Sequence, residues 1–393
     1  MVADNAMTGW SPANRRALDR VLSTLGQGAA GYNPRKKPYA VFDWDNTCIM
    51  NDAEEALLLY QAEQLRFKLT PAEFAHVLRL GVPEGLFHAD CSNVQGQPVD
   101  MQDLTADIDE AYSWLYVRCA TLGGTTPLAE LVETPQYQNF CAKFYFMYGA
   151  LCDSYPMEVG YKWIIYFYSN FSTTELQSMV LDAVAHNLAL PLQQAAITSS
   201  AELPGRAGQL APVHFYGMRV HGEMAELMRD LRTHGFDVFV STASLDDVVR
   251  AYAGHPGLGY EVPPENVLGL KLEMLDGKYT PVYRKDWHFN WGPGKTLGIQ
   301  KHWVATKGYG PALVFGDSDG DAWMMKDFAD TQLGVIINRL HPGQIGLNSQ
   351  QAAATLGQPN ARFVLQGRDE ARGCFNGQEQ TLKYGRSTPQ LLV

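Results

Sequence analysis

The chain has 393 residues, 46 % of them hydrophobic and 19 % charged, an ordinary globular mixture with material for two domains or for one domain carrying a large insertion. A formal charge of −11 argues against a dedicated nucleic-acid binder, and no apolar run of about 18 residues announces a membrane span. The opening MVADNAMTGW lacks the basic and apolar regions of a signal peptide, so the expected alternatives are a cytoplasmic protein or an exported one in mature form.

Ser11 followed by Pro12 predicts a capped N-terminal helix over SPANRRALDRVLSTLGQG, stopping near Gly26. YAVFD (39–43) then reads as a buried strand. Residues 52–215 look mostly helical, with capping-box starts at Thr70–Glu73 and Ser172–Glu175, and are expected to form a helical cap inserted after that strand. Beyond it, HGEMAELMRDLRTHG predicts a helix ending on Gly235, FDVFVST (236–242) a strand, and SLDDVVRAYAG a helix. ENVLGL (265–270), PALVFGD (311–317) and LGVIIN (333–338) are further short apolar strands, and 271–283 reads as a hairpin turning on Asp276-Gly277. Such runs suit a parallel sheet buried on both faces. The expectation is a doubly wound, mainly parallel, Rossmann-like α/β core from 10–51 and 216–393, with the cap between.

The first strand ends on two aspartates. Side chains two apart on extended backbone point the same way, so Asp43 and Asp45 project together and repel unless a cation or a proton lies between them. Three more clusters fall at or beyond strand ends, where open α/β sheets bind ligands: Ser241-Thr242, Lys295 in GPGKT, and Asp317 to Asp321 in GDSDGD. Acids, a hydroxyl and a cation are the parts of metal-assisted phosphoryl transfer. Asp43 and Asp317 could share a Mg²⁺, a hard ion that prefers oxygen. Asp43 would attack as nucleophile, Asp45 would protonate the leaving oxygen and later activate water, and Lys295 and Thr242 would bind the charged oxygens. Register decides between Ser241 and Thr242, and Lys301 or Lys307 could replace Lys295.

Other readings compete. Singly, an aspartate after a strand is more often a turn former or cap. Gly316 to Gly320 satisfies G-x-S-x-G, the nucleophile elbow of a serine hydrolase, with Ser318 as nucleophile. Only His341 follows it, and no Gly-rich oxyanion segment is present. A P-loop at GPGKT fails because Phe289 stands where glycine is required, and calcium loops fail at Cys48 and Ala322. Six cysteines without a C-x-x-C pair argue against zinc, and their even number permits disulfides without requiring them.

With D-x-D-x-T at Asp43 to Thr47 and the other three clusters in order, the sequence resembles the haloacid dehalogenase (HAD) superfamily of phosphatases. The resemblance implies Asp43 as nucleophile, Asp45 as acid/base, Thr242 and Lys295 as phosphate ligands, and Mg²⁺ held by Asp43, Asp317 and the Asp45 carbonyl with Asp321 in support. Within that superfamily, YAVFDWDNT with Glu54-Glu55, DVFVSTASLDDVVR, GYEVPPENVLGLKL and the GPGK stretch are similar to the bacterial phosphorylcholine phosphatases. That likeness implies a small substrate, phosphocholine first, with phosphoserine or phosphoethanolamine as alternatives. It makes Glu55 the ligand of the trimethylammonium group, beside Thr47 and Ser241 as further substrate-side candidates. Asp153 or Glu158 would stand in for a second acidic cap segment. A periplasmic or secreted location is also implied. An aromatic-rich stretch from Tyr137 to Phe171, including Tyr145, Tyr148, Tyr161, Trp163 and Tyr166, could cage an organic cation or simply form the cap's interior.

Overall fold

A computed structural model of the chain describes residues 9–392. Helix α1 (Pro12–Leu25) starts as its sequence predicts, with the Ser11 hydroxyl accepting the Asn14 N–H and Pro12 in the first turn. Strand β1 (Tyr39–Phe42) is buried throughout. Its alternation is visible in the packing: Ala40 and Phe42 enter one apolar cluster, Tyr39 and Val41 the other.

Six helices follow: α2 (Ala53–Glu63), α3 (Pro71–Arg79), α4 (Met101–Tyr116), α5 (Pro135–Ser154), α6 (Met157–Tyr166) and α7 (Thr173–Ala189). Both predicted capping boxes form, at the starts of α3 and α7. Rings bind these helices together, with Phe74 stacked on Tyr112 at 3.9 Å and Phe144 edge-on to Phe167 at 4.7 Å. The segment is stitched to the core where it departs and returns, because Ile49–Met50 pairs antiparallel with Arg219–Val220.

The alternating part resumes with α8 (Gly222–Thr233), β2 (Asp237–Leu245), α9 (Asp246–Ala253), β3 (Val267–Leu270), α10 (Pro293–Ile299), β4 (Leu313–Gly316), α11 (Ala322–Lys326), β5 (Leu333–Ile337), α12 (Gln344–Ala354) and β6 (Phe363–Gln366). The six strands form one parallel sheet in the order β6-β5-β4-β1-β2-β3. The chain runs outward from β1 to one side and then from β4 to the other, so the crevice between β1 and β4 is the topological switch point. The expected doubly wound sheet is present.

Three details differ from the sequence reading. β2 runs on to Leu245, three residues past the expected end, with its register against β3 shifting between Ser241 and Leu245. β3 begins late because Pro263 and Pro264 shape a 3₁₀ turn before it. β6 was not expected: Phe363–Gln366 is a four-residue edge strand after a polar loop, too short to announce itself. The hairpin does form between Leu272–Leu275 and Lys278–Tyr283. Asp276 and Gly277 are both left-handed, at φ 50° and 74°, as a type I′ turn requires. Tyr279 on this hairpin reaches the inserted helices, exchanging backbone hydrogen bonds of 2.9 Å with Asn170 and Phe171.

Candidate active site

The carboxyl ends of β1 and β4 lie side by side, Phe42 opposite Phe315, so the next residues, Asp43 and Asp317, emerge together. One carboxylate oxygen each of Asp43, Asp317 and Asp321 lies within 4.8 Å of the other two. Thr47 spans the gap: its hydroxyl contacts Asp43 Oδ2 at 2.8 Å and Asp317 Oδ1 at 3.0 Å. Asp321 turns back to accept the Asp317 and Ser318 N–H groups at 3.0 and 3.2 Å, which fixes the loop after β4.

Lys295 reaches these acids from the start of α10. Its Nζ lies 2.5 Å from Asp43 Oδ1 and 2.7 Å from Asp321 Oδ1, with the side chain 2 % exposed. The GPGK turn makes that approach possible. A Cβ on Gly294 would meet the Phe289 carbonyl oxygen at 1.6 Å. Burial alone would lower the Lys295 pKa, but Asp321 and Asp43 override it and hold the ammonium charged.

Asp45 is held separately. Its Oδ1 accepts the Ala53 N–H at 2.7 Å and its Oδ2 the Ser244 hydroxyl at 2.8 Å. Burial, and next the nearby Asp52, raise its pKa well above the usual carboxylate range, with the Ala53 hydrogen bond opposing. Burial and Asp321 likewise raise Asp43, with Lys295 opposing. Three buried carboxylates still outnumber the two cations that reach them, the Lys295 ammonium and the Arg339 guanidinium, and the donors are all oxygen. That set fits a hard divalent cation such as Mg²⁺.

These groups open into a cavity of about 300 Å³, lined also by Asp52, Glu54, Glu55, Tyr148, Tyr161, His214, Trp291 and Arg339. The structure brings together Asp43, Asp45, Lys295, Asp317 and Glu55 at this cavity, with Asp321 and Thr47 directly behind. It does not bring the two candidate hydroxyls of β2 to the surface. Ser241 accepts from Asn290 at 3.1 Å, Thr242 accepts the Ser244 N–H at 3.1 Å, and both are fully buried. Ala243 and Ser244 line the cavity instead, because the strand continues and its register shifts there.

Glu55 presents a carboxylate without a hydrogen-bond partner among the described residues, and burial and Asp52 push it up to about 8, with Arg339 opposing. Of the singled-out aromatics, Tyr148 and Tyr161 line the cavity. Tyr145 is spent on His214 at 2.7 Å, and Trp163 is interior, donating to the Leu78 carbonyl at 2.9 Å. Asp153 lines a neighbouring cavity that shares Glu55, Tyr148 and Tyr161, whereas Glu158 pairs with Lys162 at 2.5 Å. Lys307 pairs with Asp237 at 2.6 Å at the other end of β2, and Lys301 is exposed. Ser318 donates to Asp321 Oδ2 at 3.2 Å, while His341, which lines the same cavity, has its Nδ1 on the Pro342 carbonyl at 2.8 Å, so no Ser–His hydrogen bond of the kind the elbow reading needs is formed among the described residues. Trp44 points away from the acids, edge-on to Tyr252 and Tyr260.

Two side chains that bond the site's acids were not anticipated. Ser244 sits in the quoted STASL run, but choosing it needs the register of β2. Arg339, two residues past β5, places Nη1 2.6 Å from Asp317 Oδ2. No local pattern marks it.

The parallel sheet, its switch-point acids and the long insertion after the first strand make up a doubly wound, Rossmann-like α/β fold. No protein-family profile matches the chain. A conserved, functionally unknown protein from Anaerococcus prevotii DSM 20548 superposes with a TM-score of 0.90 at 33 % identity, over 95 % of this chain and 97 % of that one. The phosphorylcholine phosphatase of Pseudomonas aeruginosa is 24 % identical over 315 residues, 75 % of this chain and 72 % of that protein.

Proposed function

We propose, from the premise that this chain belongs to one family with the Anaerococcus prevotii protein and carries a HAD-like fold, that it hydrolyses small phosphomonoesters through an aspartyl-phosphate. The observation that carries this reading is the meeting of Asp43, Asp317 and Asp321 within 4.8 Å around Lys295, with Asp45 held apart by its own two hydrogen bonds.

An Asp43 oxygen attacks phosphorus and the ester oxygen departs. Asp45, whose burial favours its protonated form, gives that oxygen its proton. The same carboxylate then takes a proton from water as the water oxygen attacks phosphorus. The Asp43–phosphorus bond breaks, releasing phosphate and restoring Asp43. Lys295 opposes the protonation that burial favours at Asp43 and faces the charge that gathers on the phosphoryl oxygens. Asp43, Asp317 and the Asp45 carbonyl would hold Mg²⁺, with Asp321 behind them, and the ion supplies charge neutralisation when bound.

Phosphocholine is the leading substrate. Glu55 with Tyr148 and Tyr161 gives an acidic and aromatic wall suited to an organic cation, on the side we take to be the specificity cap (52–215). Likeness to the Pseudomonas enzyme supports the same choice. Arg339 on the same cavity favours a second reading, a leaving group carrying both charge signs, such as phosphoserine.

The test is a phosphate-release screen over choline, ethanolamine, serine and sugar phosphates, with Mg²⁺ or with EDTA. Turnover should require the metal. Asp43→Asn should lose at least about a thousandfold in kcat while melting like the parent. Parental turnover in Asp43→Asn, or loss in Ser318→Ala with indifference to EDTA, would overturn the mechanism.

A further inference from the structure

Beyond β6 the chain makes a small pair, Arg368–Asp369 against Cys374–Phe375, and from it Arg368 reaches back beneath the active site. Its side chain is 3 % exposed. Nη1 donates to the carbonyl and to the side-chain oxygen of Asn46, at 3.3 and 3.2 Å, and Nη2 donates to Glu370 Oε1 at 3.0 Å. Glu370 is further held by Lys383 at 2.8 Å and by the Tyr384 N–H at 3.1 Å. A buried guanidinium costs several kcal/mol unless it is well paired. Here the guanidinium is paired with Glu370 while its buried Nε has no partner among the described residues, and its Nη1 is directed at one residue of one turn.

That turn lies between Asp45 and Thr47. Asn46 is left-handed at φ 61°, a conformation costing on the order of 1 kcal/mol or more for a residue with a side chain. Its N–H is tied to the Asn51 carbonyl at 3.0 Å. Any rotation at Asn46 carries Asp45 away from Ala53 and Ser244 on one side. On the other side Thr47 is anchored independently, by its hydroxyl between Asp43 and Asp317 and by its N–H on the Trp44 carbonyl at 3.2 Å. The same C-terminal segment holds a second loop of the site. Thr381 donates to the Asn338 carbonyl, next to Arg339, and accepts the Arg368 N–H at 3.2 Å.

We infer that Arg368 is a positioning residue, which locks the Asn46 turn so that the Asp45 carboxyl is aimed at the leaving oxygen. The inference rests on the phosphatase reading and adds a readout that loss of stability would not produce. A misaimed acid penalises esters whose leaving oxygen needs a proton, such as alkyl phosphates. It spares an aryl ester, whose leaving group departs as the anion.

The experiment measures kcat/KM, which is blind to the later hydrolysis of the acyl phosphate, for full-length parent, Arg368→Met and Arg368→Lys in Mg²⁺. The substrates are p-nitrophenyl phosphate and phosphocholine, or whichever alkyl monoester the parent turns over best. Arg368→Met should lose about 100-fold on the alkyl ester and under about fivefold on the aryl ester, with Arg368→Lys between it and the parent. Equal losses on both esters, or none, overturn the proposal. If Arg368→Met does not fold, the Lys variant decides by the same ratio, since an ammonium reaches Glu370 without the fork that grips Asn46. If the parent hydrolyses neither ester, the phosphatase reading fails by itself. A crystal structure of Arg368→Lys then decides the positioning. Asn46 displaced from φ near 61° supports it, and an unmoved turn with Asp45 still on Ala53 and Ser244 overturns it.

Discussion

The two walls of the active-site cavity are built by different means. On the sheet side, Asp43 and Asp317 follow adjacent parallel strands, and their separation is set by hydrogen-bonded register. On the helical side, Glu54 and Glu55 open α2, Tyr148 lies in α5 and Tyr161 in α6. The depth of those groups depends on how whole helices settle on a shared aromatic interior. Backbone register is a stiff ruler, whereas helix packing tolerates substitution at nearly constant volume. One wall therefore suits conserved chemistry, and the other can be remodelled for a different leaving group without disturbing it.

The sheet-side wall should break hardest. Lys295→Met leaves Asp43 and Asp321 facing each other in a buried site. The expected result is a loss of about a thousandfold in kcat and a destabilisation of about 3–5 kcal/mol in EDTA. Added Mg²⁺ should return part of the stability, read as a rise in Tm that exceeds the rise seen for the parent. Equal Mg²⁺ responses would mean that the metal and the ammonium do not share the same acids.

A change on the helical wall should alter selectivity and little else. Glu55→Gln is expected to lower kcat/KM for phosphocholine about 10- to 30-fold and for p-nitrophenyl phosphate less than threefold. Matching losses would remove the cation from the account.

The smallest effect joins the two walls. Glu54 accepts the Tyr168 hydroxyl at 2.8 Å and the Leu245 N–H at 2.7 Å, and burial raises it from 4.5 to about 8 against both bonds. The folded chain therefore keeps a proton that the unfolded chain loses above pH 4.5, so this contribution to stability is full below pH 4.5 and fades as pH rises to about 8. In Glu54→Gln, the decline in denaturant midpoint between pH 5 and 8 should be shallower, by an amount on the order of a few kcal/mol at most. The slope that remains belongs to the other carboxyls that burial raises, among them Asp43, Asp45, Asp52, Glu55, Glu63 and Asp321. An unchanged slope would show that Glu54 ionises in the folded protein as freely as in water.

What could be read from the sequence follows the same division. Alternation in YAVFDWDNT placed Asp43 and Asp45 on one side and Trp44 on the other, because strand geometry has a fixed period of two. Asp317 followed from the strand-end rule, whereas Lys295 opens α10 and reaches the acids from a helix start. Ser244 was hidden behind Thr242, because a register shift inside β2 decides which residue surfaces. Arg339 and Arg368 were invisible, since each acts through a partner, Asp317 or Asn46, brought near only by the finished fold. Among the rings between Tyr137 and Phe171, composition could not separate Tyr161, which lines the cavity, from Trp163, which is buried in the interior.

The hairpin turning on Asp276 and Gly277 has a mechanical consequence. The inserted helices meet the core through the strand pair at Ile49–Met50 and again through Tyr279, whose hydroxyl also grips Asp247 at 2.6 Å. A door hung on one edge swings, but a panel fastened at two places only bows. Access to the cavity is then expected to depend on the opening left between these two fastenings, and that opening bounds the size of molecule admitted.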